Sequence, residues 1–420
     1  MHLGQLASGL PAGVSASALG PRQAWERVIQ TALDREVHAV ALAGDLVDRG
    51  NALFEAYGVL DEGIRRLTDA GISVCAVAGN HDTEVLPRLA AHIEGLHLLG
   101  PGGTWSTHEI TSSEGPTVRL VGWSFPARHH QQSPLVNPAP GPLPGVPTLG
   151  LLHADLDVAT SSYAPVSRTE LLACGYQGWF LGHIHVPDPV PTDAAPFYLG
   201  SLTGMNPREQ GLHGPVLVGV APDGTLHKER LPLAPLRWDE LVVDASGLTD
   251  PAGNLADFLI GNIERRLTEL GPEIEGVDLV GLRMVLTGQV SEAVALQNTV
   301  RALDLDQLIS ARFFVQKITD RTAAAVDLER LAQADHPAGV LARQILLLER
   351  PDDPTGARRD LIHRARKAWT AVNQRTSFAS LPAETSVHDE ELADRLVQAA
   401  RHSLARLLAQ KGDGHALDQA

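Results

Sequence analysis

Four short stretches carry residue types that bind metal ions, and each follows an apolar run: GDLVD (44–48), GNHD (79–82), HADLD (153–157) and GHIH (182–185). Singly they are weak signals, since Gly-Asp after a strand is usually a turn, Asn-His a loop pair, and His-x-His only sometimes a ligand pair. Together, and all at strand ends, they place Asp45, Asn80, His153, His183 and His185 on what reads as one edge of one sheet. Carboxylate, amide and imidazole donors without thiolate suit Mn²⁺, Fe²⁺ or Zn²⁺ better than a structural zinc site. A carboxylate such as Asp45 can bridge two ions roughly 3.5–4 Å apart, a spacing that polarises a phosphoryl oxygen and deprotonates a water for in-line attack on phosphorus. His81, beside Asn80, would then point at the leaving oxygen.

The elements that must position these residues alternate. PRQAWERVIQTALDRE (21–36) has apolar residues Trp25, Val28, Ile29 and Leu33 on one helical face, with Pro at its start. VHAVALAGD (37–45) is a buried-strand run, LFEAYGVLDEGIRRLTDA (53–70) is helical, and ISVCAVAGNHD (72–82) repeats the strand design. TVRLVGW (117–123), TLGLLHADLD (148–157) and GWFLGHIH (178–185) are further strand runs. This alternation predicts a layered α/β domain with chemistry on the loops leaving strand ends. The proline density of PARHHQQSPLVNPAPGPLPGVP (126–147) predicts an irregular surface loop, with His129 and His130 either touching substrate or simply solvated.

A chain of 420 residues, 44% hydrophobic, is an ordinary globular protein of two or three domains. The formal charge of −16 argues against nucleic-acid binding by bulk electrostatics, although metal ions can supply local positive charge. Cys75 and Cys174 make no disulfide framework, which fits a reducing cytoplasm. No run of about 18 apolar residues suggests a membrane span, and the first residues lack signal-peptide features.

The order GDxxD, GNHD, H-x-D and GHxH resembles the calcineurin-like metallophosphoesterase superfamily over roughly residues 1–230. Within it the chain most resembles DNA repair exonucleases of the SbcD and YhaO type. FYLGSLTGMNPREQGLHGPVLV (197–218) is similar to that group's strand, Gly-Ser and Arg-Glu stretch, and PLRWDELVVDAS (235–246) looks like its entry into a small capping domain. The resemblance implies a layered α/β sandwich over 1–235, a small α/β capping module that guides DNA over 236–325, and a helical C-terminal region over 326–420. It implies two divalent ions, Mn²⁺ foremost: one held by His2, Asp45 and His185, the other by the shared Asp45 with Asn80, His153 and His183. His81 matches the residue that contacts the scissile phosphate, Asp48 the supporting second acid of GDxxD, and Arg208 of the Arg-Glu stretch a substrate-binding position. Asp82 fits a supporting acceptor or loop cap, and Asp155 a loop-stabilising hydrogen bond.

Relatives begin with a buried strand and Asp-x-His, often Asp-x-His-Leu-Gly; here His2-Leu3-Gly4 is present and the Asp would fall before residue 1. Either the natural chain is longer or the site is degraded, and the filling of every other ligand position favours the first. The chain from Met1 is expected to hold the His2 ion weakly, and to be less stable and less active than an upstream-extended form.

Beyond residue 236, a β-α-β-α-β pattern gives way near 325 to helices, with breaks at RPDDPTG (350–356) and Leu381-Pro382. GARRDLIHRARKAW (356–369) is the most basic stretch; Arg359, His363 and Arg366 share a helical face that could meet DNA, an acidic partner or only solvent. The apolar stripe Leu392, Leu396, Ala399, Ala400, Leu404 and Leu407 would pack on a partner or on the capping module. The resemblance implies DNA, an SbcC-like coiled-coil ATPase and a second copy of the chain as partners. A phosphatase or small-molecule phosphodiesterase, and a metal-impaired scaffold that binds DNA or an ATPase without cutting, stand as alternatives.

Overall fold

The computed structural model describes residues 1–47, 52–112, 115–373 and 388–417. In chain order its elements are α1 (Pro21–Asp34), β1 (Ala39–Leu42), α2 (Ala52–Asp69), β2 (Ser73–Ala76), α3 (Leu86–Ala90), β3 (Leu96–Leu98), β4 (Trp105–Ile110), β5 (Val118–Trp123), β6 (Thr148–His153), α4 (Arg168–Ala173), β7 (Gly178–Gly182), β8 (Phe197–Tyr198), β9 (Val216–Val220) and β10 (Leu226–Arg230). There follow β11 (Leu236–Asp244), α5 (Pro251–Leu270), β12 (Leu279–Thr287), β13 (Gln289–Val290), α6 (Ala293–Ala302), β14 (Phe313–Asp320), β15 (Ala323–Ala324), α7 (Leu328–Ala332), α8 (Pro337–Leu348), α9 (Ala357–Asn373) and α10 (Asp389–Leu417). The chain divides into two compact units, one of Met1–Val242, Ala256–Val285 and Leu303–Thr319, the other of Val243–Leu255, Leu286–Ala302 and Asp320–Ala420.

In the first unit the ligand-bearing strands lie in two sheets where the strand pattern suggested one. β1, β2 and β3 make a parallel sheet in that order. The second sheet runs β4-β5-β6-β7-β8, parallel from β5 onward with β4 antiparallel at its edge. The expectation that all ligands share one sheet edge is therefore corrected: Asp45 and Asn80 follow strands of the first sheet, His153, His183 and His185 strands of the second. An apolar run buried on both faces has the same composition in either sheet, so the pattern alone does not assign it.

Strand periodicity explains the layers. Val74 of β2 faces α1 and α2, in a core with Trp25, Ile29, Leu60 and Ile64. Its neighbour Cys75 faces the other way, into a cluster with Leu149, Leu151 and Phe180 of the second sheet. In β6, Leu151 joins that inter-sheet core while Leu152 packs on the far side with Trp179, Trp123 and Leu171 of α4. Gly150 is required there, because a Cβ would run into the Trp179 ring. The layers are thus helix, sheet, sheet and helix, an α/β sandwich. β11, β12 and β14 form a further sheet, on which Ala7, Leu10, Val14 and Leu19 of the N-terminal segment pack against Leu236, Trp238, Leu279 and Phe314. The predicted β-α-β-α-β succession is present as β11, α5, β12, α6 and β14.

In the second unit most of the α10 stripe is covered by neighbouring helices of the chain itself, while Ala399 stays exposed. Leu392, Leu396 and Val397 pack on Leu348 of α8 and on Ile362 and Trp369 of α9, and Ala400 and Leu404 meet Ile345 of α8. The basic stretch on α9 is partly spoken for: Arg358 makes a two-pronged pair with Glu390 and Arg366 pairs with Asp389, while Arg359 and His363 stay exposed. Among the described residues, no helix is long and apolar enough to cross a membrane.

Candidate active site

The turn after β1 brings Asp45 inward through Gly44 (φ +84°), where a Cβ would lie 2.6 Å from His153 Nδ1 and 2.8 Å from the Gly79 nitrogen. The turn after β2 is locked to it. The His81 amide donates to Asp45 Oδ1 at 2.9 Å, and the fully buried Asp82 accepts from the Gly79 and Leu46 amides at 2.7 Å each. Asp82 is thus the supporting acceptor that its place in GNHD suggested; burial, reinforced by Asp45, pushes its carboxyl up to about 6. His2 reaches the same place by running parallel to the β1 turn: its amide donates to the Asp45 carbonyl at 2.7 Å, the Leu3 amide to that of Leu46 at 2.8 Å, and Leu3 bridges Val47.

Two groups of donor atoms meet at Asp45. In one, His153 Nε2 lies 3.0 Å from Asn80 Oδ1, 3.2 Å from His183 Nδ1 and 3.3 Å from Asp45 Oδ2. His183 Nδ1 is also 3.2 Å from Asn80 Oδ1. The Ala43 carbonyl, 2.9 Å from His153 Nδ1, takes that ring's proton, and Asp155, 3.3 Å from His183 Nε2, takes the other's. With those tautomers, assigned from hydrogen-bonding partners, both inward nitrogens present bare lone pairs. Three acceptors and a carboxylate oxygen converging in this way need a positive charge between them. The chemistry of the donor set therefore fits a divalent cation, with Asp45, His153 and His183 forming the candidate metal site.

The other group joins His2 and His185, whose Nε2 atoms are 3.0 Å apart, to Asp45 Oδ2, 3.8 Å from His2 Nε2. Glu209 orients His185 by accepting from Nδ1 at 2.8 Å. Glu209 is itself held by the Met205 amide at 2.7 Å and the Asn206 side chain at 2.8 Å. His2 Nδ1 is buried and, among the described residues, has no hydrogen-bond partner. The rings of His2 and His81 meet edge to face at 5.2 Å, which sets His81 beside this group.

The electrostatics point the same way. Burial opposes ionisation of Asp45, but His153 and His2 hold its carboxyl far below the usual range. Burial likewise works against a charged His153, and Asp45 reverses this and raises it. Opposite shifts on one contact mark a place that stabilises positive charge. His2 is pushed down to about 3 by burial and by neighbouring positive charge, and His183 to about 4 by burial and by His153. Both are therefore neutral ligands near pH 7. His2, Asp45 and His183 all have left-handed backbones, with φ of +55°, +51° and +99°. Residues held so are characteristic of sites where surrounding structure over-determines the conformation.

Of the remaining predicted residues, Asp48 lies outside the described residues. Arg208 is exposed and lines a groove of about 710 Å³ with Asn206, Glu209, Arg283, Gln316 and Lys317. The orienting role of Glu209 was missed in the sequence, as was that of Asp155, which bonds Ser161 as a loop-stabilising acid should but also holds His183. The signal available for Asp155 was its place two residues after a ligand histidine; for Glu209, 24 residues beyond His185, it was its place in the Arg-Glu stretch.

Residues 2–187 match the family model of calcineurin-like phosphoesterases. This part of the chain is a calcineurin-like phosphoesterase domain, of a family that uses divalent metals, and such a domain supports hydrolase activity. The chain is similar to the uncharacterized metallophosphoesterase YhaO of Bacillus subtilis (strain 168), with 27% identity over 242 residues, 52% of this chain and 54% of that protein. It is also similar to the DNA double-strand break repair protein Mre11 of Haloferax volcanii, with 49% identity over 61 residues, 14% of each chain. The match thus spans about half the length of the first relative and a short piece of the second. TT1561 of Thermus thermophilus, a solved structure, aligns at 13% identity over 51% of this chain and 95% of that one; its TM-score of 0.32 is too low to bear on the fold.

Proposed function

We propose that the protein hydrolyses phosphodiester bonds of DNA as a metal-dependent exonuclease, with Mn²⁺ as the working ion. The observation that carries this reading is the pair of donor groups sharing Asp45: His2 and His185 on one side, Asn80, His153 and His183 on the other. When bound there, divalent ions supply Lewis acidity toward a phosphoryl oxygen and lower the pKa of a water. The chain's own residues do the rest. Ala43, Asp155 and Glu209 fix the imidazole tautomers so that lone pairs face inward. Asp82 ties the Asp45 turn to the Asn80 turn, keeping both oxygen ligands in place. His81, fixed through its amide to Asp45, can donate a proton to the leaving oxygen. The similarity to Mre11 favours DNA among phosphodiester substrates, and the groove holding Arg208, Arg283 and Lys317 next to Glu209 offers cations to an anionic polymer. Partnership with a coiled-coil ATPase, a homodimeric state and cytoplasmic residence belong to the same reading.

The test is hydrolysis of end-labelled linear DNA with Mn²⁺, beside an aryl phosphate monoester and diester, with His81→Ala as control. Stepwise shortening that requires Mn²⁺ and His81 is expected. Monoester turnover with intact DNA would place the activity with the phosphatases, and no turnover of any substrate would leave a scaffold.

A further inference from the structure

The Pro-rich loop after β5 and the segment between β6 and α4 bring an aromatic pair together at the edge of the metal centre. The ring of Tyr163 packs on the ring of the ligand His183, centroids 4.9 Å apart and planes 38° from parallel. His129 lies against Tyr163 at 5.5 Å and 41°. The three rings make a chain from a metal ligand outward, ending at His129, which is exposed.

The pair is held in place from several sides. The His130 amide donates to the Ser162 carbonyl at 2.8 Å and the Ala164 amide to the His130 carbonyl at 2.7 Å, so the two loops run side by side as a short bridge. Asp155 receives the other side of the Tyr163 segment, its amide donating to the Tyr163 carbonyl at 2.9 Å. Trp123 packs on the His130 ring at 5.2 Å. Such pinning leaves the Tyr163–His129 stack little freedom to lose on binding, which favours a contact surface. Arg128, exposed and in no ion pair among the described residues, stands beside His129 in the chain. An exposed imidazole, His129, against a half-buried Tyr163 with a neighbouring cation is an arrangement that can receive a nucleobase and its phosphate.

We propose that His129 and Tyr163 form a stacking platform for the unpaired base of the nucleotide adjoining the scissile phosphate. This rests on the phosphodiesterase reading above and gives it a substrate form: an end whose terminal base is unstacked from its duplex neighbour. Tyr163 and His129 are the rings that lead outward from the candidate ligand His183, the direction a base next to a phosphate at the metal centre would take. Sequence tolerance follows, because every base has a face to stack.

The experiment compares the Mn²⁺-loaded full chain on two diesters, thymidylyl-thymidine and its analogue with both bases replaced by hydrogen, products being separated by chromatography. The proteins are wild type, His129→Ala, Tyr163→Leu and Tyr163→Phe. His129→Ala and Tyr163→Leu are expected to raise KM for the base-bearing diester by about 5- to 100-fold. On the abasic analogue they should stay within about 2-fold of wild type, and Tyr163→Phe should keep both activities. Equal losses on the two diesters would show that the rings only brace His183 and would overturn the proposal, as would unchanged KM on thymidylyl-thymidine. Absence of turnover of either diester by wild type would instead overturn the phosphodiesterase reading, and the platform with it.

Discussion

The two donor groups that share Asp45 are built to different standards. Around His153 and His183, each imidazole has its outer nitrogen held, by a backbone carbonyl in one case and a carboxylate in the other, and each follows directly from a strand of the five-stranded sheet. Around His2, one ring is anchored by Glu209 and the other leaves its Nδ1 buried without a partner among the described residues. The lesson is that a shared carboxylate does not make two equal sites. A ligand with a fixed tautomer binds an ion without first being oriented, so the Asn80–His153–His183 group should be the tighter of the two.

The largest expected effect comes from removing what the groups share. Asp45→Asn should lower Mn²⁺-dependent hydrolysis by more than about 100-fold, beyond the usual cost of losing an outer partner. Calorimetric titration should show both binding steps weakened; a variant that keeps one step intact would break the idea of a bridge. Next come the single ligands. His153→Ala should remove the tighter Mn²⁺ step and His2→Ala the weaker one, and the reverse assignment would invert the comparison. The outer carboxylates should act more gently: Asp155→Asn on the His183 group alone and Glu209→Gln on the His185 group alone, each by roughly 10- to 100-fold in affinity.

The smallest effect concerns acid stability of the metal-free protein. Native His183 is pushed down to about 4, against an ordinary value of 6.5. Between those values the unfolded chain holds more protons, so this histidine makes stability fall as pH drops from about 6.5 toward 4. His183→Asn should flatten that part of the melting-temperature profile; an unchanged slope would show that another group carries it.

Much of the site was legible because its ligands sit in short motifs tied to strand ends, and the helical face of Trp25, Val28 and Ile29 was legible from spacing alone. What escaped has physical reasons. The partition of strands between two sheets leaves no mark on runs buried on both faces. WSTHEI, which became the antiparallel edge strand β4, is half exposed along its length and carries little apolar signal. Glu209 sits among residues typical of a turn, and only the fold brings it to His185. The loop at 126–147 is irregular apart from one 3₁₀ turn at Pro134–Val136, yet it still makes the bridge from His130 to Tyr163 that sets His129 beside Tyr163.

The division of the ligands between two sheets has a mechanical side. An ion held by Asp45 and Asn80 on one sheet and by His153 and His183 on the other would crosslink the sandwich, and would come and go with metal concentration. Ligand binding confined to the native state raises the melting temperature in proportion to the logarithm of ligand concentration once the site is saturated. Chelation should therefore loosen the seam between the sheets before it disturbs the helices packed outside them. The amides of β2 and β6 would register this first, as faster hydrogen exchange.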